Sequence, residues 1–256
     1  MLFFMIEKGS PFISVIIPTF NEESNPYYLK SLKSLSEISD LELIIVDRSS
    51  QDKTQAWARE FSALVLMSTQ NSRAGRLNEG ISAAKGKVIL LHHPRSIIEI
   101  NFVDLIKKNY KNLSWGGLTH VFDHSHYFYK FTSWYSNTIR GKFNQILYLD
   151  HCIFFRADIF TKEELDQGLV PVVDIFEDTL LSYRLQNKGD ITILPSRSWT
   201  SPIRFQNNGI LRQALLNQSL KLAFYVNVSP CVINRIYEKN LSLNSHYSIK
   251  NTDSVS

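Results

Sequence analysis

The amino-acid sequence predicts an α/β fold, in which helices flank a Rossmann-like sheet that is mixed but mostly parallel. Residues 13–19 and 41–47 are β-branched and almost wholly apolar, which is typical of strands buried on both faces. Each of these segments ends in polar residues and is followed by a helical pattern. Strands and helices then alternate through residue 91, which indicates right-handed βαβ units.

The elements of the N-terminal half follow from apolar spacing and from cap signals. Ser50 or Asp52 is placed to cap the second helix, and Gly86 is a stop signal for the third. The predicted helices span residues 26–35, 53–61 and 71–86, and the predicted later strands span residues 41–46, 63–67 and 87–91.

The second half has a less regular pattern. It predicts strands at residues 113–122, 147–156 and 191–194, a helix at 176–188, and a long amphipathic helix at 210–226. From residue 241 onward the chain is rich in Ser and Asn and has little to bury, which predicts a disordered tail. One domain is therefore expected over residues 1–240.

Composition excludes several classes of protein. The chain has 256 residues and a net charge of +4 without a basic run, so we expect no nucleic-acid partner. Cys152 and Cys231 lie far apart, which predicts two buried, reduced thiols in a cytoplasmic protein. No segment has the ~20 apolar residues that span a bilayer. Contact with the inner face of a membrane stays open.

Polar side chains follow the first two strands at the point where each strand ends. Pro18, Thr19, Asn21 and Glu22 follow the first strand, and Asp47 ends the second. Open parallel sheets bind ligands just beyond the carboxyl ends of their strands, so these residues predict a nucleotide site. The alternative is that they cap the helices that follow.

Three motifs carry a resemblance to a known family. They are Ser-Val-Ile-Ile-Pro-Thr-Phe-Asn-Glu-Glu from residue 14, Ile-Ile-Val-Asp-Arg-Ser-Ser from residue 44, and Gly-Arg-Leu-Asn-Glu-Gly from residue 75. In this order, the chain resembles glycosyltransferase family 2 over roughly residues 13–237, which implies the A-type glycosyltransferase fold. The most similar subgroup is that of small bacterial transferases that accompany radical-enzyme and selenium-related proteins.

The resemblance implies a nucleotide-sugar donor. It implies that the two strand-end loops, including Asp47, bind the uridine of a UDP-sugar. It places Arg73 and Arg76 near the diphosphate, where a helix N-terminus also favours an anion. It also implies that Arg204 and Arg212 close over the donor. For these four arginines the alternative is an ordinary surface position.

The chain departs from the family after the fourth strand, where the family has an Asp-containing metal motif. Here the sequence is Leu-Leu-His-His-Pro-Arg from residue 90, and Pro94 stands at the carboxylate position. The family's usual way of holding Mg²⁺ or Mn²⁺ is therefore missing. One explanation is that His92 or His93 ligates a softer ion such as Mn²⁺ or Zn²⁺, which imidazole suits better than Mg²⁺. In a second, Arg95 and the two helix arginines neutralise the diphosphate without metal. In the third, the site is inactive.

The acidic pair Glu177-Asp178 opens a predicted helix. The resemblance implies that Asp178 is the base that deprotonates an acceptor hydroxyl and that Glu177 has a positioning role. The alternative is that both acidic residues only stabilise the N-terminus of the helix by interacting with its dipole. Asp150 is expected to face the acceptor. Leu149 and His151 replace a Gly and a Gln of the subgroup, which would reshape the acceptor pocket.

Histidines and aromatic residues concentrate between positions 120 and 135. A metal site and a polar loop are the two interpretations of four residues, His120, Asp123, His124 and His126. The aromatic residues at 122 and 127–135 suit either an acceptor site or the core.

We therefore expect an inverting hexosyltransferase that moves a sugar to an unknown acceptor, whether a sugar, a lipid-linked molecule or a small molecule. Its nucleotide-binding half would span residues 11–112 and its acceptor-binding half 113–240. The alternative is an inactive descendant that binds a nucleotide or sugar or regulates a partner. A nucleotidyltransferase would need a Gly-rich basic loop after the first strand, which this chain lacks.

Overall fold

A computed structural model describes residues 10–239, and the tail predicted from residue 241 lies outside the described residues. The described chain divides into two compact units. One contains the residues through Val172 together with Asp178–Ser201, and the other contains Val173–Glu177 and the residues from Pro202 onward. The prediction of one domain over residues 1–240, whose nucleotide-binding and acceptor-binding halves meet near residue 112, stays a prediction.

The first unit contains an eight-stranded mixed sheet with the order β3-β2-β1-β4-β7-β6-β8-β5. Neighbouring strands among β1, β2, β3 and β4 are parallel, as are β6 and β8, whereas β7 and β5 run antiparallel to their neighbours. The strands are β1 (Ile13–Thr19), β2 (Leu41–Asp47), β3 (Leu64–Met67), β4 (Val88–Leu91), β5 (Ser96–Ile98), β6 (Trp115–Phe122), β7 (Phe154–Arg156) and β8 (Ile191–Thr200).

Helices cover both faces of this sheet, which confirms the predicted fold class. The helices of the first unit are α1 (Pro26–Ser36), α2 (Thr54–Glu60), α3 (Arg73–Ala83), α4 (Phe102–Asn109), α5 (Tyr127–Tyr135), α6 (Lys162–Asp166) and α7 (Glu177–Gln186), the last of which begins at the unit boundary. A π-helix at Ser136–Phe143 continues α5.

The core forms two layers, because successive strand residues point to opposite faces. On one face Val15 and Ile45 pack in a cluster with Leu32 of α1. On the other face Ile16 and Val46 pack in a cluster with Leu77 of α3. These alternating contacts explain why the central strands are apolar along their whole length.

Helix α3 lies unusually close to the sheet at Gly80. A Cβ atom built there would lie 2.4 Å from Ile16 Cγ2 and 3.1 Å from Val46 Cγ2, so only glycine fits at this distance. This close packing fixes the start of α3, at Arg73, beside the carboxyl ends of the strands.

Several predicted elements differ from the structure. The segment predicted as a strand at 147–156 forms a 3₁₀ turn at Leu149–His151, and only Phe154–Arg156 is a strand. Cys152, with φ of 50°, breaks the extended backbone between them. The last strand is longer than predicted, and β5, α4, α5 and the π-helix were not predicted.

The second unit contains the helices α8 (Ile203–Asn208), α9 (Ile210–Tyr225) and α10 (Pro230–Lys239). The prediction that α9 is amphipathic is wrong, because its polar and apolar residues do not divide between two faces: Gln213 is buried with Leu220, whereas Leu211, Leu215 and Leu222 are exposed. Cys231 on α10 is exposed as well, whereas Cys152 is buried as predicted. No helix within residues 10–239 is long and apolar enough to cross a membrane.

Candidate functional site

Asp47 organises the carboxyl ends of β1 and β2. Its Oδ2 accepts hydrogen bonds from Thr19 Oγ1 at 2.8 Å and from Ser50 Oγ at 2.6 Å. Its Oδ1 accepts from the Ser50 backbone N–H at 2.7 Å and from Gln55 Nε2 at 2.9 Å. The side chain is fully buried, and these four bonds fill the lone-pair positions of a carboxyl group. Asp47 thus joins the two strand-end loops.

Two further hydrogen bonds tie the loop after β1 to the loop after β2. The backbone N–H of Asn21 donates to Ser50 Oγ at 2.8 Å, and the backbone N–H of Glu22 donates to Thr54 Oγ1 at 2.7 Å. Asn21 has φ of 51°, a left-handed conformation that Asn tolerates better than most residues. The loop geometry is therefore fixed by short polar side chains.

The loops after β1 and β2, which Asp47 joins, are called the rim below. Glu22 connects the rim to the turn after β4. Its Oε2 accepts from Asn25 Nδ2 at 2.8 Å, and the same amide group donates to the carbonyl of Pro94 at 2.9 Å. Burial raises the pKa of the Glu22 carboxyl, although the positive charge of Arg95 acts in the opposite direction. Glu22 thus places a buried carboxyl group near Arg95.

Asp178 lies at the first turn of α7, close to the start of α3. Its Oδ2 is 3.9 Å from Arg73 Nη2 and accepts from the backbone N–H of Leu149 at 3.3 Å. Its Oδ1 accepts from the backbone N–H of Thr179 at 2.9 Å. Glu177, the preceding residue, is also buried. The structure therefore brings Asp178 and Arg73 together, as the sequence did not by itself indicate.

The rim around Asp47 and the Arg73–Asp178 pair share the carboxyl edge of the parallel strands. The backbone N–H of Ser68, directly after β3, donates to the carbonyl of Asp47 at 2.8 Å. Helix α3 begins five residues later, at Arg73. The polar groups predicted at the strand ends thus lie along one edge of the sheet.

Arg76 is buried and holds the loop before α3. Its Nη1 donates to the carbonyls of Gln70 and Asn71 at 3.0 and 3.1 Å. Its positive charge offsets part of the effect of burial, which raises the pKa of Glu22. Arg204 and Arg212 belong to the second unit, where Arg204 contacts Tyr237.

The turn after β4 uses its histidines within the fold. His92 is fully buried, and its Nε2 lies 3.2 Å from Ser31 Oγ on α1. Burial lowers the pKa of His92 to about 3. His93 Nδ1 accepts from the backbone N–H of Arg95 at 3.1 Å.

A largely buried polar cluster, defined here by His120, Ser136, Arg140 and His151, includes the last residue of the 3₁₀ turn that carries Asp150. The His120 and His151 rings are 5.4 Å apart, and His151 Nε2 lies 3.3 Å from Ser136 Oγ. Neither ring nitrogen of His120 has a hydrogen-bond partner among the described residues. Burial lowers the pKa of His120 to about 4, and the nearby positive charge of Arg140 acts in the same direction.

The remaining histidines and aromatic residues divide between core and surface. Within residues 10–239 no group of three or more His, Cys, Asp or Glu residues is placed to hold a metal ion. His120 lies on β6 and is buried, so the polar-loop interpretation is wrong for it, whereas Asp123, His124 and His126 are exposed. Tyr129 is buried, whereas Tyr127, Phe131 and Trp134 are exposed, so the aromatic segment is not simply core.

Sequence reasoning missed the residues that hold the site together. Ser50 was considered only as a cap residue, and Asn25, Thr54 and Gln55 were not considered. The Ser-Ser-Gln-Asp-Lys-Thr run from residue 49 is a dense group of donors and acceptors directly after a buried strand. That density of donors and acceptors is the sequence signal by which the loop network would have been found.

Comparisons with solved structures show the same fold at low sequence identity. S. aureus TarS 1–349, solved in complex with UDP-GlcNAc, superimposes with a TM-score of 0.59 and 16% identity over 74% of this chain and 58% of that chain. The mannosyltransferase PcManGT from Pyrobaculum calidifontis, solved with GDP-Man and Mn²⁺, gives a TM-score of 0.58 and 17% identity over 90% of this chain and 68% of that chain.

Sequence comparisons give a family. A curated relative, the glycosyltransferase AglE of Haloferax volcanii, is 37% identical over 90 residues, which are 31% of this chain and 29% of AglE. The similarity thus spans less than a third of that relative. The model of the family described as "Glycosyl transferase family 2" matches residues 14–163. Because the match covers more than half of the residues of this chain, the chain belongs to glycosyl transferase family 2.

Proposed function

We propose that this chain is an inverting glycosyltransferase that moves a sugar from a UDP-sugar to an acceptor hydroxyl, with Asp178 as the general base. The observation that carries the proposal is the 3.9 Å approach of Asp178 to Arg73 at the edge where the rim loops lie. A base and a guanidinium group at a helix N-terminus suit an acceptor hydroxyl and a diphosphate respectively. The relatives that bind UDP-GlcNAc and GDP-Man support a nucleotide-sugar donor.

Each group would have a defined part in the transfer. Asp178 takes the proton of the acceptor hydroxyl, whose oxygen forms a bond to the anomeric carbon. The bond from that carbon to the diphosphate oxygen breaks, and its electron pair leaves with UDP. Attack from the side opposite to the leaving group inverts the anomeric centre. Arg73 stabilises the negative charge that develops on the leaving diphosphate.

The other predicted site residues divide between donor and acceptor. Pro18, Thr19, Asn21 and Glu22 line the first strand-end loop, where the uridine would bind. Asp47 holds the two loops in register rather than offering free oxygen atoms, because its four acceptor positions are filled. On the acceptor side, Glu177 and Asp150 position the hydroxyl relative to Asp178. The part of Arg204 and Arg212 in covering the donor stays a prediction, since both residues belong to the second unit.

A second candidate function is a nucleotide-binding protein without transfer activity. The observation that favours it is Pro94, which stands where the family has a metal-binding carboxylate. Such a protein would bind UDP and would not cleave any UDP-sugar.

The Asp178→Asn variant separates these functions. We expect the wild-type protein to bind UDP in calorimetry and to release UDP slowly from UDP-glucose, UDP-galactose or UDP-N-acetylglucosamine, with water as the acceptor. Asp178→Asn should lower this rate by about 10²- to 10⁴-fold, the usual contribution of a general base, and leave the UDP affinity nearly unchanged. The matched control Asp104→Asn changes an exposed carboxyl group on α4. Binding of UDP without release from any donor would support the second candidate instead.

A further inference from the structure

The turn after β4 lacks the side chains that a divalent cation needs. Mg²⁺ and Mn²⁺ prefer carboxylate oxygen ligands, and Mn²⁺ also accepts imidazole. The residues of this turn are His92, His93, Pro94 and Arg95, none of which has a carboxylate. The described residues also contain no cluster of three or more potential ligands.

The two imidazoles of this turn are used by the fold. His92 is fully buried, and its Nε2 faces Ser31 on α1. His93 uses Nδ1 to accept the backbone N–H of Arg95. The other nitrogen of His92, Nδ1, has no hydrogen-bond partner among the described residues, but the ring is fully buried. One buried imidazole in a turn without a carboxylate does not suit Mg²⁺ or Mn²⁺.

Pro94 also takes part in local hydrogen bonding. It has no ligating side chain, and its carbonyl oxygen accepts from Asn25 Nδ2 at 2.9 Å. The ligand set at the family's metal position therefore does not fit Mg²⁺ or Mn²⁺.

Arg95 brings a positive charge to the same place. Its backbone is held on both sides, since its N–H donates to His93 Nδ1 and its carbonyl accepts from the backbone N–H of Ser201 at 3.2 Å. The charge of Arg95 is the strongest of the influences that lower the pKa of Glu22. Asn25 Nδ2 donates both to Glu22 Oε2 and to the Pro94 carbonyl, so the residue before Arg95 is tied to the loop after β1. Arg95 therefore lies where the ends of β1 and β4 come together.

We propose that Arg95 replaces the divalent cation, so that the chain binds the diphosphate of its donor without metal. A guanidinium group pairs with phosphate oxygens through two parallel hydrogen bonds, and its charge is permanent at physiological pH. Hydrogen bonds to His93 and from Ser201 hold the Arg95 backbone in place before the ligand arrives. This inference rests on the proposed donor, and it adds a residue that contacts the leaving diphosphate.

The test compares the binding of UDP and of uridine by calorimetry, in EDTA and in Mn²⁺. The wild-type protein should bind UDP with the same affinity, within about twofold, in both solutions. Arg95→Gln should weaken UDP binding by about 10- to 100-fold, the effect of losing charge-assisted hydrogen bonds, and leave uridine binding unchanged. Arg95→Lys should give an intermediate affinity, because its charge remains and its two-point geometry is lost.

Two controls separate phosphate contact from a structural role. Arg197→Gln removes an exposed guanidinium group on β8 and should leave UDP affinity unchanged. Arg95→Gln alone leaves Glu22 without its cation, which could disturb the loop. The double variant Glu22→Gln with Arg95→Gln removes both charges, and thermal melts would show whether its fold is intact. Its UDP affinity should stay as low as that of Arg95→Gln, whereas a purely structural Arg95 would let the double variant recover.

The outcomes distinguish this inference from the proposed function. Binding of UDP only in Mn²⁺, or wild-type affinity of Arg95→Gln in EDTA, would overturn the inference and leave the glycosyltransferase proposal in place. Failure of the wild-type protein to bind either UDP or uridine in both solutions would overturn the proposed donor and, with it, this inference.

Discussion

The rim around Asp47 and the cluster around His120 are both buried and polar, but their hydrogen bonding differs. Each carboxyl oxygen of Asp47 accepts two hydrogen bonds, from donors in three segments of the chain. In the cluster, His120 has no hydrogen bond to either ring nitrogen among the described residues, and its pKa is far below normal. A buried polar group with partners stabilises a fold, whereas one without partners costs free energy.

The difference separates two kinds of region. The rim stabilises the loops that would hold a nucleotide, so they are formed before any ligand binds. The cluster lies beside a π-helix and next to Asp150, on the side proposed for the acceptor. π-Helical turns and unpaired buried polar groups occur most often where function outweighs stability. We therefore expect substitutions in the rim to destabilise the protein and a substitution of His120 to stabilise it under acidic conditions.

The largest expected effect is that of Asp47→Ala in the rim. The change leaves Thr19 Oγ1, Gln55 Nε2 and two donors of Ser50 without their acceptor. We expect the free energy of unfolding to fall by about 3 kcal/mol or more, because several buried donors lose their partner together. Urea unfolding at pH 7.5 measures this change.

The control for Asp47→Ala is Ser49→Ala, an exposed side chain two residues further along the chain. It should change the free energy of unfolding by less than about 0.5 kcal/mol. Equal effects of the two substitutions would show that the rim does not depend on the Asp47 hydrogen bonds.

The second effect is the pH dependence caused by His120. Its folded-state pKa of about 4 lies below the usual value of 6.5, so between these values the unfolded chain binds a proton that the folded chain does not. Protonation of His120 in the unfolded chain therefore lowers the free energy of unfolding as the pH falls below about 6.5, and it has no effect above that pH. His120→Phe removes this titration and should recover about 2 kcal/mol at pH 5 relative to wild type.

At pH 7.5 the same substitution should change the free energy of unfolding by less than about 1 kcal/mol, because an aromatic ring of similar shape remains. Urea unfolding at both pH values gives the comparison. If the wild type and His120→Phe lose stability in parallel from pH 7.5 to pH 5, then His120 is not a buried neutral histidine. His151, whose pKa is also lowered by burial, remains in both proteins.

The smallest effect is that of Thr19→Val, which keeps the side-chain shape and removes one donor to Asp47 Oδ2. Ser50 Oγ still donates to that oxygen, so the loss should be about 1 kcal/mol. Thermal or urea unfolding measures it. A loss as large as that of Asp47→Ala would mean that the rim fails as a unit rather than bond by bond.

The sequence predicted the N-terminal half of the fold well. Continuous apolar runs such as residues 13–17 and 41–46 identify strands that are buried on both faces, and the alternation with helices identifies a parallel sheet. These signals are local, so they survive without tertiary information. The family motifs lie in the same half, and the family model matches residues 14–163.

The second half was predicted less well, because its elements depend on distant contacts. Aromatic residues at 127–135 have high strand propensity, yet they form a helix that leads into the π-helix. Cys152 takes a left-handed conformation that no local signal indicates, and it divides the segment predicted as one strand. Tertiary packing overrides such propensities.

The sequence by itself determined the order of strands and helices through residue 91, the polar residues at the strand ends, and the absence of a carboxylate at Pro94, because each depends only on residue identity and spacing. The tertiary structure decided how those residues are used. It directs the imidazole of His92 toward α1, fills all four acceptor positions of Asp47, and brings Arg73 to Asp178 across about a hundred residues. Hydrogen-bond partners and burial depend on atoms from distant segments, and neither quantity is written in a local pattern of residues.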